Sequence, residues 1–165
     1  MDAPVCEKCV RSGILCPECK EKFDKEELTR LDIELAALLY KFENQELIKE
    51  PSFEKTFSVD DLVIVLTKGS VPNLIGRKGR VVRQLSKNLH KTVRIIKDGD
   101  IKEKMSDLVA PARLEGINIV YRKGQQATKI VVSGRDRDKL ITSKETLEKA
   151  ARLLAEDDTI TFDFK

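Results

Sequence analysis

Apolar positions recur at helical spacing along Leu28, Leu31, Leu35, Leu38, Leu39 and Phe42, which predicts an amphipathic helix with charged residues on its other side through about Glu46. Asp24, with Glu27 three residues on, reads as its N-cap and capping box, and Glu50-Pro51-Ser52 as its end. The period then changes to two. Phe53 to Phe57 alternates as a half-buried strand does. Asp60-Asp61 is a turn signal before the apolar run Leu62-Val63-Ile64-Val65-Leu66, a second strand. Leu74 and Ile75 close a short helix and Val81 opens another. On that second helix Val82, Leu85 and Leu89 share a face, with Val81 at its edge, and Arg80, Arg83, Lys87 and Lys91 share the opposite face. Thr92-Val93-Arg94-Ile95-Ile96 returns to a strand pattern.

The pattern then repeats. Residues 102–112 predict a short helix that ends near Pro111, and residues 116–121 and 128–133 predict two strands joined around Gly124. Residues 135–155 predict a helix with an interruption, and residues 159–164 a final strand. Leu74-Ile75-Gly76-Arg77-Lys78-Gly79 aligns with Leu140-Ile141-Thr142-Ser143-Lys144-Glu145, so the second copy has lost both glycines and gained a carboxylate. Its facing helix carries Glu145, Glu148, Lys149, Arg152 and Glu156, of mixed sign. The expected fold class is α+β, an α/β sandwich with helices on three-stranded sheets. The expected organisation is 1–23, 24–98 and 99–165.

Charge singles out one stretch. The net charge of +3 is unremarkable, but residues 1–50 carry −4, residues 51–100 carry +5 and residues 101–165 carry +2. From Lys68 to Lys97 there are nine Lys or Arg and no Asp or Glu. A basic-only helix face is an electrostatic footprint for a polyanion. Gly76-Arg77-Lys78-Gly79 sits at the start of that helix, where backbone N–H groups lack intrahelical partners and the helix dipole favours anions. Glycine lets the loop bend and a backbone approach closely. The tetrapeptide alone also fits an ordinary C-cap and turn; its basic surroundings point to phosphate. The candidate nucleic-acid-binding residues are therefore Ile75, Gly76, Arg77, Lys78, Gly79, Arg80, Arg83 and Lys87, with Ile75 and Val82 walling a groove for bases.

All four cysteines fall in one short span, as Cys6-x-x-Cys9, six residues, then Cys16-x-x-Cys19. Four thiolates complete a tetrahedral zinc site with no open position. The spacer is shorter than in zinc ribbons and suggests two compact knuckles, with Gly13 turning the chain and Pro17 preforming a turn. One structural Zn²⁺ on Cys6, Cys9, Cys16 and Cys19 is the expectation. An iron–sulfur cluster and thiol redox chemistry use the same residue type and stand as alternatives. Such a unit serves either to dock protein or RNA or to steady the following helix.

The order helix, strand, strand, helix, G-x-x-G, helix, strand resembles a type II KH domain, whose loop clamps about four nucleotides of single strand. Two such units in a row, the second with a degraded loop, are similar to the archaeal NusA-like proteins over residues 25–165. That resemblance implies single-stranded RNA as ligand and a role in transcription elongation or termination with RNA polymerase. The single intact G-x-x-G, the missing S1-type domain and the N-terminal cysteines depart from the pattern.

The remaining composition bounds the alternatives. Aromatic residues are 5% with no Trp, and none lies between Phe57 and Tyr121, which argues against modules that stack bases on exposed rings in this stretch. Charged residues reach 36% with four Asn, four Gln and two Met, a balance that leans towards a thermophile. No apolar run is long enough to span a membrane, and no signal peptide is legible, so a cytoplasmic protein is expected. His90, the only histidine, reads as a surface residue. With no Ser/His/Asp set, no open metal site and no carboxylate cluster, no enzyme activity and no small-molecule substrate are expected. A ribosome-associated or rRNA-processing factor using the same loop, and a protein adaptor built on the cysteine knuckle, are the rival functions. The loop clamps a backbone that single-stranded DNA shares with RNA.

Overall fold

Each Cys-x-x-Cys pair starts a helix. In the computed structural model, which describes residues 1–165, Cys6 is the N-cap of α1 (Glu7–Ser12) and Cys16 is the N-cap of α2 (Pro17–Asp24), with Pro17 in its first turn. Gly13 ends α1 in the left-handed region at φ 73°, its N–H donating to the Cys9 carbonyl. A side chain there would be strained, so glycine makes the reversal.

The next helix starts later than expected. Asp24 is the last residue of α2, not an N-cap. Thr29 caps α3 (Arg30–Asn44) and Asp32 closes the box: the Asp32 N–H donates to Thr29 Oγ1 at 3.1 Å, and the Thr29 N–H to Asp32 Oδ2 at 2.8 Å. Both Asp24/Glu27 and Thr29/Asp32 have capping spacing. Asp32 is fully buried and also takes the backbone N–H and hydroxyl of Thr56, at 2.9 and 2.6 Å. A buried carboxylate needs such donors, and with the Thr29 hydroxyl, at 2.9 Å, four of them fix where the helix begins.

Two units make up the chain: Met1–Ser58 with Val63–Lys97, and Val59–Leu62 with Asp98–Lys165. In the first, β1 (Lys55–Val59), β2 (Leu62–Thr67) and β3 (Thr92–Lys97) form a mixed sheet in the order β1-β2-β3. The β1 strand starts and ends two residues later than the expected Phe53–Phe57 segment. Thr56 and Val59 are buried while Phe57 is only half-buried, because Thr56 turns inward to Asp32. Between β2 and β3 come α4 (Val71–Ile75) and α5 (Arg80–Leu89). Val63, Val65, Leu74, Val81, Leu85, Val93 and Ile95 share one core with Leu35, Leu39 and Phe42 of α3.

The cysteine segment belongs to this first unit. Val5, Cys9 and Cys19 are buried in the same core. The Asp2 N–H donates to the Pro51 carbonyl and the Phe53 N–H to the Asp2 carbonyl, tying the N-terminus beside the start of β1. Arg11 bonds Glu7 and lies over the Tyr40 ring, 5.8 Å from its centroid, which ties α1 to α3.

The second unit repeats the element order with α6 (Ile101–Val109), β4 (Leu114–Arg122), β5 (Gln125–Val132), α7 (Lys144–Ala155) and β6 (Thr161–Phe164). The β4 and β5 strands pair antiparallel and β5 and β6 parallel. Lys123 and Gly124, both at positive φ, make the tight turn between β4 and β5. The expected helix over 135–155 is broken as foreseen: residues 134–139 form a 3₁₀ turn, and α7 starts only after Ser143. A mixed-sheet α+β architecture with the four cysteines close together is the observed fold class. No helix is long and apolar enough to cross a membrane.

Candidate nucleic-acid and metal sites

The loop between α4 and α5 is built by its neighbours. Ser70 caps α4 by accepting the Asn73 N–H, and the Asn73 side chain donates to the Lys49 carbonyl at 2.7 Å. Gly76 follows at φ 79° and ψ 169°, a backbone region open in practice only to glycine. A Cβ there would lie 2.5 Å from the Val81 side chain and 2.8 Å from the Val81 nitrogen. Gly76 therefore lets the chain turn directly against the first turn of α5. Its carbonyl accepts the Gly79 N–H at 3.1 Å. Lys78 and Gly79 both have positive φ, at 54° and 72°, and a Cβ at Gly79 would meet only Val82, at an ordinary contact distance of 3.8 Å.

The sequence-predicted residues come together here. Arg77, Lys78, Arg80, Arg83 and Lys87 are exposed, and none of the five pairs with a carboxylate. Ile75 and Val82 are half-buried beside the loop, while Val81, read as the edge of the apolar face, is buried along with Leu85. Arg83 does more than present charge: its Nη2 donates to the Lys78 carbonyl at 3.0 Å and its Nε to the Gly79 carbonyl at 3.3 Å. It braces the loop from the next helical turn. Arg80, Arg83, Gln84 and Lys87 line a shallow depression on α5. His90 is exposed and ends α5 at φ 55°.

The aligned loop of the second unit is built differently. Ser143 caps α7, accepting the Thr146 N–H at 3.3 Å. Thr146 Oγ1 donates to Asp60 Oδ2 at 2.9 Å, Lys149 Nζ reaches the same carboxylate at 3.2 Å, and the Thr142 hydroxyl donates to Asp61 at 3.1 Å. The start of α7 thus already holds the chain's own carboxylates. The sequence reading found the glycine loss and Glu145 but missed Asp60 and Asp61, which it treated only as a turn signal. It also missed the bracing by Arg83 and Asn73, for which helical spacing gives no signal.

The four cysteines form one cluster, with all sulfurs within 4.8 Å of one another. Cys6 and Cys9 sulfurs are 3.3 Å apart, and those of Cys6 and Cys16 are 3.8 Å apart. A tetrahedral ion with metal–sulfur bonds of about 2.3 Å needs sulfur–sulfur edges of roughly 3.8 Å, so the donor set fits. Backbone amides support it: the Cys16 N–H donates to Cys9 Sγ at 3.0 Å and the Cys6 N–H to Cys19 Sγ at 3.5 Å. Hydrogen bonding from the Cys9 backbone and side chain holds the Cys6 thiol down at about 7. The Cys16 N–H favours ionised Cys9, yet burial and the three neighbouring sulfurs push Cys9 up to about 12. Burial raises Cys19 as well. Four thiolates this close are stable together only around a cation.

No protein-family model matches the chain, and no curated protein does. Among solved structures it is similar to one described as "Crystal structure of APE1850", at 23% identity and a TM-score of 0.52, over 76% of this chain and 96% of that one. The likeness is one of fold.

Proposed function

We propose that this protein binds single-stranded RNA through a type II KH unit whose loop is Gly76-Arg77-Lys78-Gly79, and that it acts in transcription elongation or termination as a NusA-like protein. The observation that carries the reading is the first turn of α5. Gly76 brings the chain tightly against it, Gly79 turns the chain at positive φ, and Arg77 and Lys78 stand exposed without carboxylate partners. A phosphate seated there meets helix-terminal N–H groups, the positive end of the dipole and two mobile cations. Arg80, Arg83 and Lys87 continue the positive track along α5, and Ile75 and Val82 offer aliphatic contact to bases. Phosphate contacts set affinity and register, and base contacts set sequence preference.

Zn²⁺ is the metal we assign to Cys6, Cys9, Cys16 and Cys19. Four thiolates close its coordination shell, so its role is structural. Bound there, it fixes α1 and α2 against α3 and steadies the unit that carries the loop.

The test is fluorescence anisotropy of a short unstructured RNA across a salt series. Arg77→Asp with Lys78→Asp should weaken binding to all sequences alike. It should also flatten the slope of log affinity against log salt by about 1.4, roughly 0.7 for each lost single-strand phosphate contact. Unchanged affinity and slope refute the loop assignment. Co-sedimentation with RNA polymerase supports the transcription role, and co-sedimentation with ribosomes replaces it.

A further inference from the structure

The second unit carries a basic, apolar surface that its degraded loop does not explain. From 116 to 134 the chain holds Arg122, Lys123 and Lys129 and no Asp or Glu. Lys129 lies 3.9 Å from Asp163, whereas Arg122 and Lys123, at the end of the β4–β5 hairpin, pair with no carboxylate. Ile119 and Tyr121 point to the same face of β4, two residues apart, and are 55% and 72% exposed. Opposite them on β5 stand Thr128, which is buried with its hydroxyl donating to Asp157 at 2.9 Å, and exposed Gln126. The Tyr121 hydroxyl makes no hydrogen bond within the protein. The outer edge of β4 has no neighbouring strand. Cations alone would suffice to keep such an edge from pairing with another sheet; they do not account for a bare aromatic ring and a bare aliphatic side chain beside them.

We infer that the β4–β5 hairpin is a second contact for single-stranded RNA, in which a base stacks on Tyr121 against Ile119 and flanking phosphates meet Lys123 in the turn and, on the other face of β4, Arg122. An exposed ring close to an unpaired turn lysine, in a hairpin that carries no carboxylate from 116 to 134, has the chemistry of a stacking platform, and it suits any base because every base has a π face. The inference rests on the RNA-binding reading above and adds to it a base-stacking element that the aromatic-poor α4–α5 loop lacks.

The chain has two tyrosines and no tryptophan, so Tyr40→Phe leaves Tyr121 as the only strong emitter. In that background, titration with the same short RNA should quench Tyr121 emission saturably. Tyr121→Ala should lower affinity about tenfold while leaving the salt slope unchanged, and Tyr121→Phe should restore affinity. Arg122→Ala with Lys123→Ala should instead flatten the slope. RNA binding with no change in Tyr121 emission and full affinity in Tyr121→Ala overturns the hairpin contact and leaves the Gly76 loop standing. Loss of affinity in Tyr121→Ala, with none in Arg77→Asp/Lys78→Asp, supports the hairpin and removes the loop. Absence of any RNA binding removes both.

Discussion

The loops that lead into α5 and α7 occupy the same place in the repeated order of elements and have opposite electrostatics. Before α5, glycine at 76 permits a backbone shape that other residues avoid, and the cations at 77 and 78 face solvent unpaired. Before α7, a serine caps the helix, and Asp60 and Asp61 accept from Thr146, Lys149 and Thr142. The positive end of a helix attracts an anion in both cases. One unit leaves its cations there unpaired, and in the other the side chains around the helix start already hold carboxylates of the same chain. A repeated order of elements thus does not carry a repeated charge environment; the groups around the helix start decide it.

The largest effect expected in testing this contrast concerns the metal. Cys9→Ser with Cys19→Ser should abolish metal binding and destabilise the first unit by several kcal/mol, since both sulfurs lie in its core. Thermal unfolding with and without a chelator should show a metal-sensitive first unit and a second unit that does not respond. A transition of the second unit that shifts equally would break the contrast at its base.

Gly76→Ala should cost about 3 kcal/mol, from the steric overlap with Val81 together with the disfavoured backbone. Gly79→Ala, with a left-handed φ of 72° but only ordinary contact to Val82, should cost only about 1 kcal/mol. Denaturant melts of the two variants separate a glycine required by packing from one required by backbone conformation alone.

The basic face of α5 and the cysteine pairs were legible in the sequence because one-dimensional spacing encodes them. Gly13 was legible for the same reason. The α3 cap was not: Asp24/Glu27 and Thr29/Asp32 both have the right spacing, and what chose between them was Thr56, more than twenty residues away. The Asp60 and Asp61 contacts are of the same kind, joining positions over eighty residues apart. Local pattern carries the elements and the candidate loop, and only the fold shows which carboxylates reach a helix start.

A graft sharpens that point. Thr142→Gly, Ser143→Arg and Glu145→Gly restore the glycine–cation pattern in the second unit. They should add little RNA affinity while Asp60 and Asp61 remain. Adding Asp60→Asn and Asp61→Asn should produce a measurable gain in anisotropy titrations, because the competing carboxylates are then neutral.

The smallest effect expected is a pH dependence within the second unit. Lys139 beside Asp136, at 2.9 Å, and then the Arg113 N–H hold the Asp136 carboxyl below the usual carboxylate range. A lowered folded-state value means that the stabilisation is fully present above the ordinary aspartate value of 3.8 and is lost as pH falls through the lowered one. Asp136→Asn should therefore lower the melting temperature by a few degrees near neutral pH, and the difference from wild type should shrink in strong acid.

Backbone amide NMR of the full chain, titrated with a short unstructured single-stranded RNA, tests the central claim most directly. The largest shifts should fall on residues 76–83, and residues 140–146 should stay unmoved. Shifts centred on 140–146 with residues 76–83 silent would contradict that claim.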